Sequence, residues 1–197
     1  MLIDPDVLGT LPQRQIANGL AEIVKMALTF DADLFARFED PEGPGPIEDL
    51  LAAALNLKKA VVEADEREAG LRRVLNFGHT LGHGIEAARQ GRLFSASGAE
   101  AAKREGLALL HGECVALGML PMCAPQVRAR LIPVLERLEL PTYVNLDLNA
   151  AMSAIAHDKK TEGGAVAAVT VPAVGEYRLE SLSLSDLRSR LETLVHL

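Results

Sequence analysis

The sequence predicts a mainly α-helical domain, several helices with one small β-hairpin near the C-terminal end, on three observations. Ala and Leu dominate a composition that is 49% hydrophobic but only 4% aromatic, which favours packed helices over a sandwich of Val-, Thr- and Tyr-rich strands. Apolar residues recur at helical spacing over most of the chain. Alternation, the mark of a half-buried strand, is confined to Ala165 to Pro172 and Glu176 to Leu182, with Gly175 between them. The 197 residues suffice for a proper core and are read as one domain, 1–197.

Leu2 to Leu8 reads as the end of an extended segment. Pro12 suits a first helical turn, and Leu20, Ile23, Val24, Ala27 and Leu28 carry a helix to about Phe30. Glu22 and Lys25, three apart, then neighbour each other on its surface. The breaker cluster Asp40 to Pro46 precedes a helix from about Ile47 to Ala64. The charged patch Asp65-Glu66-Arg67-Glu68 leads to a turn at Gly70. From Leu75 to Glu86 the spacing stays helical in spite of Gly78, Gly82 and Gly84. Each glycine costs a helix about 1 kcal/mol, and tolerance of three points to close backbone approach. Gly91 to Glu105 is polar and Ala-rich. Further helices are expected at about 107–123, 126–139 and 147–157, and a last amphipathic one over 184–195.

A formal net charge of −7 offers no basic face, and sparse aromatics offer no stacking platform, so nucleic acid is not expected as a partner. A small anion remains compatible with local Lys/Arg clusters. Cys114 and Cys123 lie in apolar sequence and read as reduced core thiols. No secretory signal opens the sequence and no apolar run reaches the ~20 residues of a membrane span, so a cytoplasmic location is expected.

His79 and His83, four apart, project from one helix face at a spacing that suits two ligands of one zinc ion. His111 opens a second apolar helix and Glu22 lies in a third; such groups seldom sit among aliphatic neighbours without a partner. Two histidines, one glutamate and an open position meet what catalytic zinc requires, although spacing alone does not choose which two histidines bind. Lys25, Lys58, Arg72, Lys159 and Lys160 would each be an ordinary solvated charge if taken singly. Lys25, one turn from Glu22, and Arg72, shortly before Asn76 and His79, are better placed to meet an anion, which arginine can grip by two parallel bonds. Neither a G-x-G-x-x-G nor a G-x-x-x-x-G-K-[ST] string follows a predicted strand.

Leu75-Asn76-Phe77-Gly78-His79-Thr80-Leu81-Gly82-His83 and His111-Gly112-Glu113-Cys114-Val115-Ala116-Leu117-Gly118-Met119 resemble the 3-dehydroquinate synthases. So do Gly19 to Lys25, the Lys58 to Arg72 run and Asp158-Lys159-Lys160, all in family order. The resemblance implies the C-terminal helical metal- and substrate-binding domain of that fold, with an N-terminal NAD-binding α/β domain not included in this chain. It implies zinc (or cobalt) held by Glu22, His79 and His111, with His83 behind the ligands or on the substrate. Lys25, Lys58, Arg72 and Asn76 would act on the substrate, and Glu68 with Lys159 or Lys160 would bind it. The implied substrate is 3-deoxy-D-arabino-heptulosonate 7-phosphate, a small anionic sugar phosphate; NAD oxidises a ring hydroxyl transiently, phosphate is eliminated, and an intramolecular aldol step closes the carbocycle. A homodimer is implied for the complete enzyme. The His83 to His111 spacing exceeds the family's, with the surplus at Gly91 to Glu105 read as a surface insertion. Inosose- or valiolone-forming cyclases, a metal-dependent polyol dehydrogenase and a non-catalytic zinc-binding helical module are the competing readings; Glu68, Asn76 and His83 together favour dehydroquinate synthase.

Overall fold

A computed structural model describes residues 3–67, 70–89, 108–158 and 165–195. Its elements are α1 (Gln13–Phe30), α2 (Ala32–Glu39), α3 (Ile47–Ala64), α4 (His79–Arg89), α5 (His111–Met119), α6 (Pro125–Arg137), α7 (Leu148–Asp158), β1 (Ala165–Thr170), β2 (Arg178–Ser183) and α8 (Leu184–Glu192). The mainly helical expectation with a C-terminal hairpin is met, and the two strands pair antiparallel from Ala165 opposite Ser183 to Thr170 opposite Arg178.

Helix α1 is the central rod. Ala17, Leu20, Ala21, Val24, Ala27 and Leu28, spaced three and four apart, are all buried, which is the stripe that drives a helix onto a core. It packs against α2, α3 and α5. Helix α2, to which the sequence pattern assigned no element, is short but well specified. The Asp31 carboxylate accepts the Leu34 N–H at 2.9 Å as its N-cap, and Leu34, Phe35 and Phe38 are buried. Helix α3 follows Pro46 and fully buries only Leu50 and Val61.

Helices α4 and α5 approach backbone to backbone. A Cβ on Gly82 would lie 3.0 Å from the Cys114 carbonyl oxygen, and one on Gly118 would run into the Gly78 carbonyl and sit 2.7 Å from the Gly82 nitrogen. On the far side of α4, Gly84 abuts Ile155 of α7, whose Cγ1 would be 2.6 Å from an added Cβ. The helix cost of these glycines is thus repaid by two tight contacts. Gly78 itself precedes α4 at φ 76°, a left-handed conformation that a side chain disfavours.

Four expectations need correction. Residues 5–10 form a 3-10 turn and not an extended end: Pro5 suits the first position, and the Asp4 carboxylate accepts the Asp6 N–H at 3.1 Å. The helix expected over 107–123 is shorter, because Pro121 has no N–H to continue it and Leu120–Met122 tightens into a 3-10 turn; Leu107 lies outside the described residues. The last helix ends at Glu192, with Thr193 to Val195 in a closing turn, and α6 stops at Arg137 before Glu139 turns to φ 56°. The insertion at Gly91 to Glu105 lies outside the described residues. Among those described, no helix is long and apolar enough to cross a membrane, and both cysteines are buried and outside any disulfide.

Candidate functional site

The site is assembled where α1, α4 and the start of α5 meet. Helix α4 presents His79 and His83 one turn apart; α5 contributes His111 as its first residue; α1 contributes Glu22. The nitrogen atoms that each histidine can offer a metal lie within 4.8 Å of one another, and the His83 ring centroid is 5.4 Å from that of His79 and 5.9 Å from that of His111. Glu22 Oε1 lies 3.5 Å from His79 Nε2 and 3.8 Å from His111 Nε2.

The proton positions follow from the outer partners. His79 Nδ1 is 3.1 Å from the Phe77 carbonyl oxygen and His111 Nδ1 is 3.1 Å from Glu86 Oε2. Both oxygens can only accept, so each Nδ1 carries the proton and each Nε2 is left facing Glu22. Burial foremost, then the Lys25 charge, hold His79 well below its usual 6.5, at about 4, against the opposing pull of Glu22; the imidazole is therefore neutral at pH 7.

Glu22 is bipartite. Lys25 Nζ donates to Glu22 Oε2 at 2.7 Å and to the Leu75 carbonyl at 2.7 Å, whereas Glu22 Oε1 is buried without a hydrogen-bond partner. Burial works to raise the Glu22 carboxyl, but the charge and hydrogen bond of Lys25 lead the groups that outweigh it and hold it below the usual range. Burial is also the main reason that Lys25, with only 5% of its surface exposed, sits below its ordinary pKa. A buried carboxylate oxygen without a hydrogen-bond partner is costly as it stands, and a cation shared with the two facing Nε2 atoms would satisfy it. Tetrahedral zinc with bonds of about 2.0–2.1 Å spaces its ligand atoms roughly 3.4 Å apart, close to the two distances to Glu22 Oε1. The donor set thus fits a divalent metal.

A cavity of about 630 Å³ opens beside this cluster, and Glu22, Lys25, Lys58, Arg72, Asn76 and His79 line its polar end. Apart from Gln15, the rest of the wall is apolar, mainly from α1, α3 and the first 3-10 turn. The Arg72 stretch is shaped by Asp65, whose Oδ2 accepts the N–H groups of Gly70 (2.8 Å) and Arg72 (3.0 Å). Six of the residues singled out from sequence therefore converge on one cavity, and His83 and His111 flank His79 at its edge. Glu68, Lys159 and Lys160 lie outside the described residues.

Two features of the site have no counterpart in the sequence reading. Glu86 stands behind His111, as described. Glu113, 2% exposed, is gripped by Arg14 through two bonds of 2.7 Å and accepts the Leu110 N–H at 2.8 Å, while Asn18 Oδ1 accepts the Gly112 N–H at 2.6 Å. These tie the start of α5, and so His111, to α1. An acidic residue within the apolar run 112–119 was a signal for Glu113; nothing in the sequence marked Arg14.

The arrangement of helices is similar to that of about half of each of two solved enzymes. A 2-epi-5-epi-valiolone synthase from Streptomyces hygroscopicus, solved with NAD+ and Zn2+ bound, superposes with a TM-score of 0.75 at 26% identity, covering 98% of this chain and 54% of that one. A 2-deoxy-scyllo-inosose synthase complexed with carbaglucose-6-phosphate, NAD+ and Co2+ gives 0.76 at 20% identity, covering 98% and 56%, a likeness of fold. The chain belongs to the 3-dehydroquinate synthase family: residues 19–161 match the family's C-terminal part, 3-dehydroquinate synthase C-terminal. The 3-dehydroquinate synthase of Latilactobacillus sakei is 37% identical over 98% of this chain and 52% of its own length. That of a Cyanothece strain is 35% identical over 89% and 48%. The chain spans about half the length of the curated relatives it matches.

Proposed function

We propose that this chain is the metal- and substrate-binding half of a 3-dehydroquinate synthase of the shikimate pathway, which converts 3-deoxy-D-arabino-heptulosonate 7-phosphate to 3-dehydroquinate with loss of phosphate. The observation that carries the metal half of this reading is the buried, unpartnered Glu22 Oε1 opposite the Nε2 atoms of His79 and His111. Glu22, His79 and His111 would hold zinc or cobalt, which supplies a Lewis acid that polarises substrate hydroxyl and carbonyl oxygens. NAD would supply the transient redox step, and its binding would belong mainly to the half of the relatives that this chain does not match, since no G-x-G-x-x-G string follows a strand here.

The chain's own residues do the rest. Lys25 is immobilised between Glu22 and the Leu75 carbonyl, so its charge is preorganised toward developing negative charge and costs no reorganisation when that charge forms. Lys58 and Arg72 give the cavity the cations that a carboxylate or phosphate needs, and Asn76 offers a neutral donor and acceptor for hydroxyls. His83, its ring centroid 5.4 Å from that of His79, would relay a proton. Glu68 and Lys159 or Lys160 complete the substrate contacts in this reading, and the complete enzyme is a homodimer. A second reading, a cyclase making a valiolone- or inosose-type ring, draws on the solved neighbours; the identity to curated dehydroquinate synthases favours the first.

The test has two arms. Metal analysis of the purified chain is expected to find one zinc per chain, lost in His111→Ala; retention of full zinc by that variant would remove the site. Mixing the chain with a separately expressed nucleotide-binding half of a relative is expected to release phosphate from the heptulosonate phosphate. A folded, metal-loaded pair that releases none would favour a non-catalytic zinc-binding module.

A further inference from the structure

We infer that Glu86 is a positioning residue for the metal centre: its carboxylate fixes the ring orientation and tautomer of His111 and supplies a second negative charge behind the donor set. The inference rests on the metal reading above. His79, His83 and Glu86 fall four and then three apart along α4, on one stripe of its surface. That stripe faces the start of α5, where His111 stands, and Glu86 Oε2 lies 3.1 Å from His111 Nδ1. His111 is the donor most in need of a guide, because it is the first residue of its helix and 44% of its side chain is exposed. His79, by contrast, is 14% exposed and already anchored through Nδ1 to the Phe77 carbonyl.

Charge supplies the second argument. Lys25 is paired with Glu22 at 2.7 Å, so the single carboxylate among the proposed ligands is largely offset before a dication arrives. Glu86, bonded through His111, restores a negative charge near the ion without occupying a coordination position, and a carboxylate on the far nitrogen makes an imidazole a stronger donor.

The experiment compares the 197-residue chain with Glu86→Ala and Glu86→Gln. Zinc affinity is read by competition with a chelator, and the His111 ring tautomer by nitrogen NMR of the metal-free protein. Glu86→Ala is expected to weaken zinc by about 10–100-fold, the usual cost of losing such an outer partner, and to shift His111 away from the Nδ1–H form. Glu86→Gln keeps an acceptor without the charge, so it should retain the tautomer and lose less affinity; it also carries the test if the alanine variant folds poorly. Wild-type zinc affinity in both variants with an unchanged His111 tautomer would overturn the role of Glu86 alone. A parent chain that takes up no zinc would overturn the metal site, and this inference with it.

Discussion

Gly118→Ala should destabilise the protein, although a glycine-to-alanine change within a helix ordinarily stabilises it. Alanine at a helical position is favoured over glycine by roughly 0.5–1 kcal/mol. At Gly118 the new methyl group would run into the Gly78 carbonyl and stand 2.7 Å from the Gly82 nitrogen, nearly 1 Å short of a normal separation of about 3.5 Å. Both obstacles are backbone, so no side chain can swing aside and α4 must back away from α5. Overpacking of this kind costs typically about 1–3 kcal/mol, and the rigidity of the obstacle puts the gross cost at the upper end. The net expectation is a loss of about 2 kcal/mol. Gly19→Ala in α1 is the matched control: a Cβ there meets nothing within 4 Å, so the propensity gain of about 0.5–1 kcal/mol should appear undiminished. Urea unfolding of the metal-free chain measures both. A neutral or stabilising Gly118→Ala would refute the claim that α4 and α5 touch backbone to backbone. His79 follows Gly78 in sequence, so the same variant should also weaken zinc binding.

The two arginine–carboxylate forks should differ sharply. Arg14→Ala strands the buried Glu113 and should cost about 3 kcal/mol, whereas Arg130→Ala loosens an exposed pair with Glu39 and should cost under about 1 kcal/mol; equal losses in urea unfolding would contradict the burial argument. Acid should weaken the metal-free fold. Since His79 protonates at about 4 in the fold against 6.5 when free, the unfolded chain takes up the proton first; the stability is intact above 6.5 and is lost as pH falls to about 4, by up to about 3 kcal/mol. Glu22, held below its ordinary value of 4.5, adds a loss of the same sign at still lower pH. His79→Gln should flatten the dependence between pH 6.5 and 4 in denaturation midpoints, and an unflattened profile would discard the assignment. Burial pushes the Cys123 thiol up to about 12, so a thiol-specific dye should label it at pH 8 only after unfolding; prompt labelling of the native chain would show that the core is open.

Local signals in the sequence sufficed for α1, α3, α7 and the hairpin, where periodicity, prolines and alternation agree. They failed for α2, whose stripe of Leu34, Phe35 and Phe38 is too short to register as a period although Asp31 caps it. The segment ending at Leu8 was misread because Asp4-Pro5 begins a tight turn through a side-chain cap, an effect weaker than the extended pattern of its apolar residues. At the site, the candidate donors were legible from chemistry and the structure brings Glu22, His79 and His111 together, but spacing left the choice among three histidines open. That choice needs the tautomers, and these are set by Phe77 and Glu86 across distances that no spacing encodes. Arg14 was invisible for the same reason: its partner Glu113 is 99 residues away.

The placement of the donors depends more on backbone than on side chains. Gly78, Gly82 and Gly118 let α4 and α5 touch, which fixes His79 relative to His111 through two rigid main chains. The start of α5 is then held to α1 by Asn18 on the Gly112 N–H and by Arg14 on Glu113, which fixes Glu22 relative to both histidines. A site made this way tolerates little adjustment, and metal coordination requires ligand atoms held within a few tenths of an ångström. It follows that variants at Gly118 or Asn18, neither of which is a proposed ligand, should weaken zinc binding, while changes on the exposed outer face of α3, such as Lys59→Ala in a surface pair with Glu63, should leave it untouched. Equal zinc affinity in Gly118→Ala, Asn18→Ala and the parent would mean that the ligands find the ion by side-chain motion and that the tight helix contact serves stability alone.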